Sequence, residues 1–203
     1  MEAAGVATDT HHDHHGPPAP HYSSAVDPQT LGMYLFIISE IMLFGAFFTA
    51  YFFIRVVQGD AWPPPGKEIP VLVAGINTAI LISSSFTMHW ALEGIKNNNR
   101  RAMRAGLLTT FLLGFTFLSV QINEYFHLGW GIKDDAQGSI FYGLTGLHGA
   151  HVTIGLILLA FANIRANRGH FSPESHRGVE IPGIYWHFVD IMWIVVFTTL
   201  YIL

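Results

Sequence analysis

The sequence predicts an all-α integral membrane protein, built as a bundle of five transmembrane helices. Hydrophobic residues make up 51% of the 203 residues and charged residues only 12%, whereas a typical soluble domain is about 25% charged. Five apolar stretches are each long enough to cross a hydrocarbon core of about 30 Å. We place them at about residues 31–57, 71–92, 103–126, 139–164 and 182–203. Because the chain has no cysteine, disulfides and thiolate metal sites are excluded.

The segment before the first apolar stretch, residues 1–30, is polar and rich in His, Pro and Ala. We predict that it is a disordered cytoplasmic tail and that residues 31–203 form the membrane domain. The histidines at positions 11, 12, 14 and 15 could bind a transition metal, but a solvated tail is the simpler interpretation. The tail has no apolar signal-peptide region, so we expect the first helix to direct insertion. Asp27 and Pro28 are typical of a helix N-cap and of the first helical position.

Glu40 is the acidic residue of the first span and lies well inside its apolar layer. A carboxyl group at that depth should be protonated, paired or turned towards protein. One interpretation is that Glu40 only hydrogen-bonds to a neighbouring helix. We favour the other, in which it has a proton-linked role or shapes a site.

The second and third spans carry uncharged polar groups and one further carboxyl group. Asn77 and the serines at 83–85 are small polar residues of the kind that let membrane helices approach closely. Near the end of the third span, Gln121, Glu124 and His127 share one helix face by their spacing. We expect Asn77 and the serines at 83–85 to serve helix packing.

The fourth and fifth spans each place two ionisable side chains three residues apart. These are His148 and His151 in the fourth span, and His187 and Asp190 in the fifth. Residues with this spacing lie on one side of a helix, and ionisable groups in a membrane helix normally face protein. The histidine pair could hold haem or a metal. Interhelical hydrogen bonds explain it equally well, and we favour them.

Basic residues in the loops predict the orientation. The positive-inside rule places the more basic loops in the cytoplasm, and these follow the second and fourth spans. The amino terminus is therefore expected inside and the carboxyl terminus outside. The residues on the two sides are Lys96, Arg100, Arg101, Arg104, Arg165, Arg168 and Arg177, against Arg55, Lys67 and Lys133.

Five short motifs, taken in order along the chain, resemble subunit III of the haem-copper respiratory oxidases, in its short five-helix bacterial form. This family includes cytochrome c oxidase and its quinol-oxidising relatives. The combination of the fourth and fifth motifs is highly specific. The motifs are Ser39-Glu40, Asn77-Thr78, Glu124-Tyr125, residues 145–152 (TGLHGAHV) and residues 185–190 (YWHFVD) with Trp193.

The resemblance implies an accessory subunit of a proton-translocating terminal oxidase in aerobic respiration, with no catalytic or metal-ligating residue of its own. Haem and copper belong to the partner subunits I and II, while subunit III binds phospholipid and helps to sustain proton uptake. Glu40 matches the buried carboxyl group that reacts with carbodiimides in this family. The remaining matched residues are implied to make interhelical, lipid or subunit contacts: Glu124, His148, His151, His187 and Asp190.

The chain departs from the seven-helix mitochondrial type because it begins at what would be the third helix. One wall of the family's lipid cleft must then come from a partner or from lipid. We expect the bacterial plasma membrane as the location and cytochrome c as the electron donor, with quinol as the alternative. A supercomplex with a cytochrome bc complex is a further expected partner of the whole enzyme.

Two interpretations from other classes compete with this one. A self-sufficient haem or metal enzyme would need His148, His151 and His187 to converge on one centre with an open coordination position. A proton-coupled transporter would use Glu40 and Glu124.

Overall fold

The computed structural model describes residues 27–59, 69–173 and 175–203. Within them the chain forms five long helices: α1 (Pro28–Gln58), α2 (Val71–Lys96), α3 (Arg100–His127), α4 (Ala136–Asn167) and α5 (Arg177–Phe197). A π-helical segment, Thr198–Ile202, continues α5. All five helices are long and apolar enough to cross a membrane, which confirms the predicted all-α membrane bundle. The expected His-rich tail at residues 1–26 lies outside the described residues.

Helices α1, α3 and α4 each begin three residues before their apolar stretches, and a polar residue caps the start of each. The Asp27 carboxylate accepts a hydrogen bond from Thr30 N at 3.2 Å, with Pro28 next to it in the first turn, as the sequence predicts. Asn99 and Asp135 cap α3 and α4 in the same way, through Ala102 N and Gly138 N. Each cap supplies an acceptor to a backbone N–H that the helix cannot satisfy itself.

Helix α5 is the most buried of the five and α1 the least. Helix α5 packs against α1, α2 and α4, while α3 packs against α2 and α4. Helices α1 and α2 share no extensive contact among the described residues. The four outer helices therefore surround α5 incompletely and leave a lateral opening between α1 and α2, which we call the α1–α2 opening.

The α2–α3 pair is the most extensive helix packing among the described residues, and glycine lets the two helices approach closely. A Cβ atom at Gly106 would lie 2.7 Å from Ala91 Cβ and 2.8 Å from Thr87 O, so a side chain there would force the helices apart. The connecting turn contains Asn98 with a φ of 55°, a left-handed conformation that asparagine tolerates better than most residues. Small residues at such an interface let membrane helices approach closely.

Helices α1 and α5 run in the same direction and are joined near both ends. At their starts, Arg177 Nη1 lies 3.2 Å from Asp27 Oδ1. At the other end, Arg55 donates a hydrogen bond to the Leu203 carbonyl oxygen. Between these ends, the aromatic rings of Phe44 and Phe188 are in edge-to-face contact.

Candidate functional site

The α1–α4 interface brings together two of the residues singled out in the sequence. His151 Nε2 lies 2.9 Å from Glu40 Oε2, and both side chains are largely buried. The ring of His151 also packs against those of Phe44 and Phe188, so the polar pair has aromatic neighbours. The expectation that Glu40 would be protonated, paired or turned towards protein agrees with this geometry.

The hydrogen bonds of His151 fix the number of protons in the pair. Its Nδ1 atom lies 2.8 Å from the Leu147 carbonyl oxygen, and because a carbonyl only accepts, Nδ1 must carry a proton. Nε2 is then either an acceptor facing a protonated Glu40 or the second donor of a cationic ring facing a carboxylate. In both cases one proton lies between Glu40 and His151, and the pair is neutral overall.

A second polar group joins α2 to α5. Ser85 Oγ donates a hydrogen bond to Asp190 Oδ2 and lies 3.2 Å from His187 Nδ1. Ser85, a serine of another helix, thus links His187 and Asp190 of α5. Ser84 and Thr78 of the same helix accept hydrogen bonds from Trp186 and Trp193, each at 2.8 Å.

These two tryptophan contacts were not predicted. Trp186 and Trp193 are two helical turns apart on α5, and each indole N–H meets a hydroxyl of α2. The sequence carries a signal for them, because residues seven apart lie on one face of a helix and a buried indole needs an acceptor. It does not show which hydroxyl each indole would meet.

Glu124 lies in a third group, at the contact between α3 and the end of α5. Its Oε1 accepts a hydrogen bond of 3.3 Å from the Tyr201 hydroxyl, while Oε2 has no partner among the described residues. A pocket of about 210 Å³ opens beside it, with Asn123 and His127 among its lining residues. His127 is exposed, so only Gln121 and Glu124 of the predicted polar face are buried.

His148 does not join His151, although the two lie one turn apart. The ring of His148 is fully buried and packs against Phe117 and Trp193, with centroids 5.7 Å and 4.7 Å away. Neither of its nitrogens has a hydrogen-bond partner in the described part of the chain. The interhelical bond favoured from the sequence is thus present for His151 and not for His148.

The three histidines of the haem or metal interpretation therefore point into different interfaces: His148 towards α3 and α5, His151 towards α1, and His187 towards α2. Among residues 27–59, 69–173 and 175–203, no three His, Asp or Glu side chains are grouped so that they could hold a metal ion. The convergence that this interpretation requires is missing there. Glu40 and Glu124 likewise lie at separate interfaces.

A larger pocket, of about 600 Å³, lies where the start of α1 meets the end of α4 and the start of α5. Two arginines line it among mostly apolar side chains. The guanidinium of Arg165 lies over the ring of Phe171 at 5.3 Å, and Arg177 is paired with Asp27. The site thus combines cationic groups with apolar walls.

Comparison with known proteins shows to which family the chain belongs. Residues 15–203 match the family described as cytochrome c oxidase subunit III. The chain belongs to the cytochrome c oxidase subunit III family. The resemblance inferred from the motifs is confirmed.

The relatives of this family match at high coverage. Cytochrome c oxidase subunit 3 of Thermostichus vulcanus is 41% identical over 204 residues, covering 100% of this chain and 96% of the relative. That of Synechocystis sp. is 43% identical over 194 residues, covering 95% and 79%. That of Papio hamadryas is 41% identical over 180 residues, covering 84% and 67%. As a subunit III, the chain is a multi-pass membrane component of a proton-pumping terminal oxidase and assembles with other oxidase subunits.

Proposed function

We propose that this chain is the accessory subunit III of a bacterial cytochrome c oxidase, that it holds phospholipid against the complex, and that it sustains proton uptake during turnover. Subunits I and II carry the haem and copper, and the amino terminus is on the cytoplasmic side of the plasma membrane. The family membership supports this role. The observation that carries the lipid-binding part is the apolar pocket with two arginines at the α1–α4–α5 junction.

The pocket fits an anionic phospholipid, because guanidinium groups bind phosphate well and the remaining lining is apolar. On α4, His151, Leu158 and Arg165 are spaced seven residues apart, so they lie on the same side of the helix. Arg165 and His151 are fourteen residues apart, about 21 Å along the helix. One leaflet of the hydrocarbon core is about 15 Å thick. The acyl chain of a lipid whose headgroup is bound in the pocket would therefore extend most of the way to the Glu40–His151 pair.

The proton-related role rests on the Glu40–His151 pair, which holds one proton at the least buried helix of the bundle. Replacing Glu40 by Ala should leave the complex assembled and its haem spectrum unchanged. The turnover rate of the oxidase, or the time for which it stays active during turnover, should change. The spectrum should not change because, in this proposal, subunits I and II rather than this chain hold the haem and copper. Loss of haem in this variant would contradict the proposal.

The role as an accessory subunit is tested by affinity purification of this chain in mild detergent. Mass spectrometry of the co-purified proteins is combined with a reduced-minus-oxidised spectrum. We expect subunits I and II in stoichiometric amounts, with all haem absorbance lost from this chain once they are removed. A chain that keeps haem absorbance after its partners are stripped away would overturn the proposal. The haem type and donor site of the partner would decide between cytochrome c and quinol.

The lipid site is tested by native mass spectrometry of the same complex. The double variant Arg165→Gln with Arg177→Gln should lose bound phospholipid, because both cationic groups at the pocket are removed. Arg168→Gln removes an exposed arginine outside the pocket lining and is the matched control. Equal lipid loss in the double variant and the control would show that the pocket does not bind the headgroup.

A further inference from the structure

One half of the bundle encloses polar side-chain atoms that have no hydrogen-bond partner. This half, which we call the C-terminal half, contains the ends of α1, α3 and α5 and the starts of α2 and α4. The atoms are Asn77 Oδ1, Glu124 Oε2 and both ring nitrogens of His148, which lack a partner in the described part of the chain. All three residues are buried. The proposed lipid and proton-uptake roles do not use them.

The opposite half of the bundle also contains interior polar side chains, but these are paired. The hydroxyl groups of Thr87 and Thr110 lie 2.7 Å apart, and Asn163 Nδ2 donates to two backbone carbonyl oxygens. Within the described ranges, no buried side-chain nitrogen or oxygen of that half lacks a partner. The unpaired atoms are therefore confined to the C-terminal half and the middle of the bundle.

The unpaired atoms of the C-terminal half lie along a single buried face of α3. Phe117, Gln121 and Glu124 follow one another on that face, about one turn apart. Asn77 Nδ2 donates to the Phe117 carbonyl oxygen at 3.0 Å, and the ring of His148 meets the ring of Phe117 at 5.7 Å. Phe117 and Glu124 are about 10 Å apart along the helix. We call Asn77, Gln121, Glu124 and His148 the polar column.

The polar column begins near an aqueous surface and ends deep in the membrane. Glu124 lies three residues, about 4.5 Å, before the end of α3. It lines the pocket of about 210 Å³ together with the exposed residues Asn123 and His127. His148 lies twelve residues, about 18 Å, from the start of α4. The column thus extends from the pocket to the middle of the hydrocarbon layer.

The column needs an occupant that can both donate and accept hydrogen bonds. A neutral His148 has one donor and one acceptor nitrogen, whereas Asn77 Oδ1 only accepts. A partner helix cannot reach these atoms, because the chain itself encloses them. Among the described residues no three His, Asp or Glu side chains could hold a metal ion. Water fits, because one buried molecule makes about three hydrogen bonds and folded proteins contain about one per 27 residues.

We propose that the polar column binds a file of ordered water molecules, which connects His148 with the aqueous phase at the pocket beside Glu124. At a spacing of about 2.8 Å, three or four waters span the distance of about 10 Å. Through this file the imidazole of His148 exchanges protons with the solution at that end of the bundle, although the ring is fully buried. The inference is independent of the proposed function, because it concerns only atoms of this chain.

Radiolytic labelling of the purified complex tests the water file. A short X-ray pulse produces hydroxyl radicals from bound as well as bulk water, and the oxidised side chains are found by mass spectrometry. Trp193 packs against His148 with ring centroids 4.7 Å apart. Trp186 is the matched control, because both tryptophans are 0% exposed and each lies nine residues from the nearer end of the helical segment 177–202. We expect Trp193 to be oxidised several times faster than Trp186.

Equal oxidation of the two tryptophans would overturn the proposal, because both would then be equally remote from water. Mixing the complex with oxygen-18 water just before the pulse tests the connection to the solution. We expect the oxygen added to Trp193 to carry the heavy isotope, since the file exchanges with the pocket. Oxidation of Trp193 only with the light isotope would show sealed water and would overturn the connection to the aqueous phase.

A variant tests the route through Gln121. Gln121→Met keeps an unbranched side chain of similar length and removes the amide from the middle of the column. We expect it to lower the oxidation of Trp193 several-fold. Thr110→Val is the matched control, because it changes a buried polar residue on the same face of α3 in the opposite half. Unchanged oxidation in Gln121→Met, or an equal fall in the control, would refute the route. If Gln121→Met does not assemble, the comparison of the two tryptophans in the native complex decides alone.

Discussion

The Glu40–His151 contact makes a quantitative prediction, because it is the polar link between α1 and α4 for which both hydrogen-bonding partners are defined. The perturbation is a double-mutant cycle with Glu40→Ala, His151→Phe and the double variant. The cycle subtracts the separate losses of packing and leaves the coupling between the two side chains. Phenylalanine retains the ring contact with Phe44 and removes both nitrogens.

The structure sets the magnitude. The distance of 2.9 Å and the burial of both side chains, 8% and 16% exposed, describe a formed hydrogen bond that water does not compete for. Interhelical hydrogen bonds in membranes contribute about 0.6 kcal/mol on average and up to about 1.7 kcal/mol. We expect a coupling of about 1 kcal/mol if the acid is protonated. A value of about 2–3 kcal/mol would indicate the ion pair, because charge-assisted bonds are stronger.

The assay is the free energy of unfolding of each variant, by denaturant titration in detergent micelles with tryptophan fluorescence as the signal. A coupling of 1 kcal/mol changes the unfolding equilibrium constant about fivefold, which the titration resolves. Glu40→Gln adds a discriminating variant, since its amide can still donate to a neutral His151 and should cost less than Ala. A coupling below about 0.3 kcal/mol, the scatter expected for independent sites, would refute the shared-proton pair.

Three further predictions concern packing and assembly. Gly106→Ala should lower the unfolding free energy by about 1–3 kcal/mol, because the new Cβ would overlap α2. In the same titration Gly146→Ala, whose Cβ meets nothing within 4 Å, should be neutral or slightly stabilising. Equal losses of unfolding free energy in the two variants would contradict this. Trp186→Phe should cost about 1 kcal/mol more in the native background than in a Ser84→Ala background, since only the former loses the indole hydrogen bond. Asp190→Leu should impair assembly by leaving a serine hydroxyl without its acceptor, and normal amounts of intact complex in a native gel would disprove it.

The helices and the depth of their polar residues could be predicted from the sequence because both are local properties. Apolar length gave five spans, and the position of Glu40 in its span was enough to predict that the carboxyl group needs a partner. The helix ends were predicted less well: α5 begins five residues before its predicted stretch, α2 ends four residues after its own, and α3 and α4 each begin three residues early. The N-caps Asn99 and Asp135 are polar residues just outside the apolar stretches, so apolar length alone does not include them.

The partners of the polar residues could not be predicted, since they depend on how distant helices pack. Glu40 and His151 are separated by 111 residues, and nothing in either local pattern selects the other. The spacing of three between His148 and His151 indicated a common direction. Residues three apart are about 60° apart around a helix, which here is enough to turn one ring towards α1 and the other towards Trp193.

The hydrogen bonding inside the bundle distinguishes two kinds of polar side chain. The indoles of Trp186 and Trp193 and several small hydroxyl groups are paired within the chain. Several ionisable groups keep unpaired atoms among the described residues: one oxygen each of Glu124 and Asp190, and both nitrogens of His148. Buried polar atoms in native proteins are nearly always satisfied by protein or ordered water. Because these atoms are enclosed by the chain itself, ordered water inside the bundle is the partner that would satisfy them.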